Sequence, residues 1–149
     1  MTSLKTYNDK RGFSLIELLI VLALVAFVAS IGTIFSMSSI SRSYALSERD
    51  LLVSLLTQAR AHALANVHES AQSVYIDTDA YVLYEGTTYD VNNVTNKVIP
   101  KVSHATVSGL DTITFNQITA RVTNEGTITI AGDTQTYTIE VNNEGRINW

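Results

Sequence analysis

The longest hydrophobic stretch of the chain lies near its amino terminus and reads RGFSLIELLIVLALVAFVASIGTIF over residues 11–35. From residue 18 to residue 41 the chain runs for 24 residues without a charge. A helix of that length is about 36 Å long, enough to cross a hydrocarbon core of roughly 30 Å. The pattern therefore predicts a membrane-spanning helix over residues 13–41, with Glu17 as an acid near its start.

A second helical pattern follows directly, over residues 42–67. Its apolar residues recur at the three- and four-residue spacing of one helix face, and they are Leu52, Leu55, Leu56, Ala59, Ala63 and Val67. The same spacing places Glu48, Gln58 and Arg60 mostly off that face. We expect an amphipathic helix that continues the first one and packs on the rest of the chain.

After residue 68 the hydrophobic period changes to two, which is typical of β-strands. Strands are predicted over residues 73–77, 81–85, 97–102, 112–115, 126–130, 136–141 and 146–149. A hairpin joins the first two strands, and Pro100 places the third at a sheet edge. The predicted fold class is α+β, in which a long amino-terminal helix packs on an antiparallel β-sheet domain over residues 68–149.

Composition and charge narrow the possible functions. A chain of 149 residues has room for one small domain beside the helix. Cysteine is absent, which excludes disulfides and thiolate metal sites. The formal charge is −4, and residues 1–12 carry three basic side chains against one acid, so a chain without them would be near −6. Such a charge disfavours a general nucleic-acid-binding surface.

The residues around Gly12 resemble the processing signature of type IV pilins and type II secretion pseudopilins. Two basic residues precede Gly12, Phe13 follows it, and Glu17 comes four residues after Phe13. The resemblance implies that residues 1–12 are a leader, which a prepilin peptidase removes between Gly12 and Phe13. It also implies methylation of the new amino group on Phe13 and a role for Glu17 in assembly.

The carboxy-terminal part of the chain is similar to the GspH/FimT group of minor pseudopilins in the segments ITFN, GTITI, YTIEV and GRI. The resemblance implies a structural subunit of a type II secretion pseudopilus or a type IV pilus, with a pilin-like fold. Its partners would be other pilin or pseudopilin subunits, the prepilin peptidase, an inner-membrane assembly platform and membrane lipid.

The basic residues before the helix predict the orientation of the chain in the membrane. By the positive-inside rule the amino terminus lies in the cytoplasm, and the β domain lies on the far side. For a bacterial inner-membrane protein the far side is the periplasm. We therefore expect a single-pass protein that enters a filament after its leader is removed.

A conventional secretory signal peptide is an open alternative for the same segment. A basic start followed by an apolar run also fits that class, with a cut after Val28-Ala29-Ser30 and release of a soluble β domain. Glu17 counts against this interpretation because it lies inside the region that should be apolar. The apolar run also continues past the cut, through Ile31 and Ile34.

DNA binding during natural transformation is a second alternative. Some FimT-like proteins bind DNA through a carboxy-terminal Gly-Arg-x-Arg motif, and residues 145–148 of this chain read GRIN. Arg146 is therefore a candidate DNA contact, but Asn148 stands where the second arginine would be. With an acidic chain as well, nucleic acid is not an expected partner.

Catalysis is not expected from this sequence. His62, His68 and His104 are scattered, and neither a nucleophile motif nor a glycine-rich phosphate loop is present. Asp77 and Asp79 lack the other oxygen ligands of a calcium loop and are more often turn formers. We therefore predict no enzyme activity, no metal site and no cofactor.

Overall fold

The computed structural model describes residues 12–102, 105–133 and 135–149, and for residues 31–42 it describes the backbone alone. The described part contains helix α1 (Leu15–Leu64), a 3-10 turn (Val67–Glu69) and the strands β1 (Gln72–Ile76), β2 (Ala80–Glu85), β3 (Lys97–Pro100), β4 (Thr106–Gly109), β5 (Thr112–Phe115), β6 (Gly126–Ala131), β7 (Thr136–Val141) and β8 (Ile147–Asn148). This composition confirms the predicted α+β class. The chain divides into two compact units, of which the first ends at Met37 and the second is Ser38–Trp149.

The described part of the first unit is dominated by the amino-terminal part of α1. The Leu18 N–H donates to the Ser14 carbonyl oxygen at 3.2 Å, which makes Ser14 the residue at the helix start. The large apolar side chains of this segment are exposed, among them Phe13, Leu22 and Phe27. Residues 13–41 are the predicted membrane span. Where side chains are described, no helix is long and apolar enough to cross a membrane.

Within the second unit, one face of α1 is buried. The predicted face from Leu52 to Ala63 is confirmed, because all five apolar residues predicted there are buried. The prediction for Glu48 is wrong, since this residue is fully buried on the same face. The helix ends at Leu64, before the predicted boundary at residue 67. Asn66 and His68 have φ values of 54° and 53°, in the left-handed region that interrupts a helix.

The strands form two four-stranded antiparallel sheets. The first sheet has the order β3-β2-β1-β5, and the second has the order β4-β6-β7-β8. The β1–β2 hairpin is confirmed, with Ile76 opposite Tyr81. The edge position of β3, which contains Pro100, is confirmed as well. Strand β4 was not among the predicted strands, and the separation of the strands into two sheets was not predicted either.

Helix α1 and both sheets share one hydrophobic core. The first sheet contributes alternate residues to this core, among them Val74, Tyr81, Leu83 and Ile113. Because successive side chains of a strand point to opposite faces, the residues between them lie on the other face of the sheet. We call this the outer face. It carries Tyr75, which is paired with Thr112, and Tyr84, which is paired with Ser73.

Candidate functional site

The predicted cleavage site lies before the first turn of α1. Gly12 and Phe13 have no regular secondary structure, and the Phe13 side chain is 84% exposed. A Cβ built on Gly12 would have no atom within 4 Å. The peptide bond between these two residues is therefore accessible from solvent in the described structure, as the substrate of a peptidase must be.

Glu17 occupies the first turn of α1, and its side chain is exposed. It follows Ser14 by three residues, which is the Ser-x-x-Glu spacing of a capping box. A negative charge at this end of a helix is also favoured by the helix dipole. Phe13 lies four residues before Glu17 in the sequence, but it precedes the helix, which begins at Leu15. Glu17 is thus placed to support the helix start.

Arg146 lies in the second unit, separate from the unit that contains the cleavage site and Glu17. Its side chain is exposed, and its backbone N–H donates to Asn142 Oδ1 at 2.8 Å. The preceding Gly145 has a φ of +73°, and a Cβ there would lie 2.1 Å from the Ala120 carbonyl oxygen. Packing therefore explains this glycine without a ligand. The exposed acid Glu144 stands two residues before Arg146.

Of the histidines and aspartates named above as possible metal ligands, His68 and Asp77 have side-chain contacts with neighbouring residues. His68 Nδ1 lies 2.5 Å from Glu85 Oε1 at the surface. Asp77 Oδ1 accepts a hydrogen bond from the Thr78 N–H at 2.8 Å, as a turn former does. Within the described ranges, no group of three His, Cys, Asp or Glu side chains could hold a metal ion. His104 lies outside the described residues.

Glu48 is the polar residue that sequence reasoning missed. Its Oε1 accepts a hydrogen bond from the Tyr81 hydroxyl at 2.7 Å, and its Oε2 accepts one from the Val102 N–H at 2.9 Å. Burial raises the pKa of the Tyr81 hydroxyl far above its usual value, and both the hydrogen bond to Glu48 and the negative charge of Glu48 act in the same direction.

A signal for this position was present in the sequence. Glu48 precedes Leu52 by four residues, so the helical period of the buried face already includes it. Its carboxylate connects three parts of the second unit, namely α1, strand β2 and the residues that follow β3. These hydrogen bonds connect the helix to the sheet. A carboxylate, a hydroxyl and a backbone N–H that bond to one another in this way form a structural contact.

Comparison with known proteins gives one finding, at the amino terminus. Residues 7–33 match the family model described as the prokaryotic N-terminal methylation motif, and the match includes Gly12, Phe13 and Glu17. No curated protein and no solved structure matches the chain. The matched segment indicates a precursor with a leader of the type IV pilin kind, and it leaves the β domain without a match.

Proposed function

We propose that this protein is a minor pilin or pseudopilin, a non-enzymatic structural subunit that loses its leader and is assembled into a filament from the bacterial inner membrane. The observation that carries the proposal is the methylation motif over residues 7–33. The accessible bond between Gly12 and Phe13 supports it, because a prepilin peptidase must reach that bond.

Membrane anchoring is the first part of the proposal. The exposed apolar side chains of α1 would lie in lipid, and the uncharged sequence continues to residue 41. Burial of such side chains away from water is favourable by roughly 1.5–3 kcal/mol for each large one. The basic residues of the leader would keep the amino terminus in the cytoplasm and place the β domain in the periplasm.

Assembly through Glu17 is the second part. Cleavage creates an ammonium group on Phe13, four residues before Glu17 in the sequence. An extension of α1 back to Phe13 would put the two residues on one helix face. An unpaired carboxylate is costly in lipid, so Glu17 needs a positive partner there. The amino terminus of the same subunit or of a neighbouring subunit would supply one. Other pilin or pseudopilin subunits and an assembly platform would then be the partners.

The kind of filament is the third part. We assign the subunit to the GspH/FimT group of minor pseudopilins, which serves a type II secretion pseudopilus or a type IV pilus. The segments quoted above support this assignment, and three of them, GTITI, YTIEV and GRI, form or adjoin β6, β7 and β8 of the second sheet. The two antiparallel sheets beside an amino-terminal helix are consistent with a pilin-like fold.

DNA is not proposed as a ligand. The chain without its leader would be near −6, Asn148 replaces the second arginine of the motif, and Glu144 stands two residues before Arg146. Phosphate binding requires a basic patch. A gel-shift titration of the processed protein at physiological salt should show no retention. Tight retention that is lost in Arg146→Ala would instead establish the DNA-binding alternative.

Intact-mass measurement of the membrane-extracted protein tests the proposed function. The expected mass is that of a chain beginning at Phe13 with one added methyl group. Gly12→Val should retain the leader because its branched side chain obstructs the cleavage site, whereas the matched leader variant Thr6→Val should be processed normally. A mature chain beginning at Ile31 would overturn the proposal in favour of the secreted β domain.

A further inference from the structure

Three tyrosines meet on the outer face of the first sheet. Tyr75 on β1 and Tyr84 on β2 belong to that face by their register, and Tyr89 from the loop after β2 packs against both. The ring centroids of Tyr75 and Tyr89 are 4.6 Å apart with an interplanar angle of 23°, and those of Tyr84 and Tyr89 are 5.4 Å apart at 55°. The hydrophobic core does not explain this cluster, because its rings lie on the opposite side of the sheet from α1.

The three rings border a groove of about 620 Å³, which we call the tyrosine groove. Threonines and one asparagine complete its lining, and all of the described residues that line it are uncharged. The volume lies within the range of roughly 300–1,000 Å³ that is usual for small-molecule sites. Tyr84 is buried, so the groove combines the half-buried rings of Tyr75 and Tyr89 with hydroxyl and amide groups that can donate and accept hydrogen bonds.

Hydrogen bonds to the backbone hold the walls of the tyrosine groove in place. On one side, Asn124 Nδ2 donates to the Thr112 carbonyl oxygen at 2.5 Å, which fixes the segment before β6 against β5. On the other side, Ser73 Oγ donates to the Gly86 carbonyl oxygen at 2.6 Å, at the start of the loop that carries Tyr89. A site whose walls are already ordered loses less free energy when a ligand binds.

The chemistry of the lining selects one class of ligand. A pyranose ring has an apolar face of C–H groups that can lie on a tyrosine ring, and its hydroxyls can bond to threonine and asparagine. A charged ligand would lose hydration in this groove without gaining an opposite charge. Single-stranded nucleic acid also stacks on aromatic rings, but it requires a positively charged groove for its phosphates. We propose that the tyrosine groove binds a neutral saccharide.

This binding activity goes beyond the proposed filament role and does not depend on it. The test uses the full-length protein in a polyoxyethylene detergent, because a sugar-based detergent would compete for the groove. Maltohexaose, cellohexaose and chitohexaose are the neutral probes, and a hyaluronan oligosaccharide and a thymidine oligonucleotide are the charged probes. We expect at least one neutral probe to bind with a Kd of about 1 mM or tighter by titration calorimetry or saturation-transfer NMR.

Variants then locate the binding in the tyrosine groove. Tyr89→Ala should raise the Kd of the neutral probe about tenfold or more. Tyr89→Phe keeps the stacked ring, so its Kd should stay within about threefold of wild type. Val94→Ala is the matched control, because Val94 lies in the same loop and is 98% exposed. Thr123→Glu should weaken binding without altering a tyrosine, since it places bulk and charge at the groove.

Three results would overturn the inference. They are the failure of every neutral probe to bind at about 10 mM, tighter binding of a charged probe, and unchanged affinity in both Tyr89→Ala and Thr123→Glu. The thermal midpoint of each variant is measured alongside. If Tyr89→Ala unfolds, Thr123→Glu alone decides the outcome.

Discussion

Glu48 brings a carboxylate into the core between α1 and the first sheet, where it accepts hydrogen bonds from Tyr81 and from the Val102 N–H. Hydrogen bonds to a charged acceptor are shorter and stronger than neutral ones. The net benefit of such a buried group is small because its desolvation is costly, but the loss of one partner leaves the others unpaired. The complete contact therefore adds little to the free energy of unfolding. Removing Glu48, however, leaves the Tyr81 hydroxyl and the Val102 N–H without their acceptor.

Replacing Glu48 should destabilise the second unit strongly. Glu48→Ala leaves the Tyr81 hydroxyl and the Val102 N–H without their acceptor and opens a cavity, so we expect a loss of about 2–5 kcal/mol in the free energy of unfolding. Glu140→Ala is the control, because Glu140 is exposed on β7, and it should change that free energy by less than about 0.5 kcal/mol. Urea unfolding of the detergent-solubilised protein measures both. Equal midpoints for the two variants would contradict the structural role of Glu48.

Tyr81 should make stability fall at alkaline pH. Its pKa is raised in the folded state, so its proton is retained where an unfolded tyrosine, with a pKa of about 10, has lost it. Below about pH 10 both states are protonated and stability is unaffected; above it the unfolded state binds fewer protons, and stability declines by about 1.4 kcal/mol per pH unit for this group.

The variant Tyr81→Phe isolates this contribution. It should lower stability at neutral pH by about 1–3 kcal/mol, because Glu48 loses a donor. Above about pH 10, however, its free energy of unfolding should decline less steeply than that of wild type. The two slopes should differ by about 1.4 kcal/mol per pH unit, the value for one proton. Unfolding free energies between pH 8 and about 11 give both slopes. Parallel slopes would mean that Tyr81 ionises in the folded protein as easily as in the unfolded chain.

At the scale of elements, the turn before β8 depends on Gly145. Its positive φ and its contact with the Ala120 carbonyl oxygen both exclude a side chain. Gly86, directly after β2, also has a positive φ, of +100°, but a Cβ there would meet nothing within 4 Å. The two glycines therefore separate the cost of the backbone conformation from the cost of a steric clash.

Alanine at these two positions should have different effects. Gly86→Ala should cost about 1–2 kcal/mol, the penalty for a left-handed residue with a side chain. Gly145→Ala should cost at least about 2 kcal/mol more, because the Cβ would displace the backbone at Ala120. Urea unfolding midpoints compare them. If the two losses are equal, the close approach of Gly145 to Ala120 contributes nothing to stability.

Local patterns predicted the elements better than their arrangement. The helix face from Leu52 to Ala63, the β1–β2 hairpin and the edge strand at Pro100 follow from the spacing of apolar residues and the chemistry of one proline. Glu48 was predicted to lie off the buried helix face because it is charged, although its position in the helical period places it on that face. Strand β4 reads TVSG and ends in glycine, so β-propensity alone could not identify it.

The division into two sheets depends on contacts between strands that are distant in sequence. Strand β5 pairs with β1, so Phe115 lies opposite Gln72. No local property of either segment specifies that pairing, because it arises from packing against the shared core. The motif around Gly12, Phe13 and Glu17 is different, because it is local in sequence, and residues 7–33 match a family model. The roles of the three residues stay predictions.

At the scale of the whole molecule, the two units differ in the exposure of their large apolar side chains. The second unit has a hydrophobic core between α1 and the two sheets, whereas the first unit exposes large apolar side chains along the described part of α1. A surface of that kind is stable in lipid or against other apolar helices, and not in water. Glu17 is the acid within this surface, so its behaviour depends on what covers the helix.

Glu17 variants separate its two possible roles. If Glu17 neutralises the Phe13 ammonium in a filament, Glu17→Ala and Glu17→Gln should both be inserted and processed but incorporated poorly, since each lacks the charge. If Glu17 only caps α1, Glu17→Gln should assemble normally, because glutamine also fits a capping box. The measurement is the fraction of processed subunit in sheared filaments at equal membrane abundance. Normal incorporation of Glu17→Gln would contradict the charge-pair role.

The interleaving of the two sheets determines when this chain can finish folding. Strand β4 belongs to the second sheet, β5 returns to the first, and β6 to β8 complete the second. As the chain is synthesised from its amino terminus, β1, β2 and β3 can form a meander from local contacts. The hydrophobic core against this meander lacks Ile113 and Phe115 until β5 has been made. Neither sheet is complete without residues from the last third of the chain. A protein shortened to end before β5 would therefore leave both sheets incomplete.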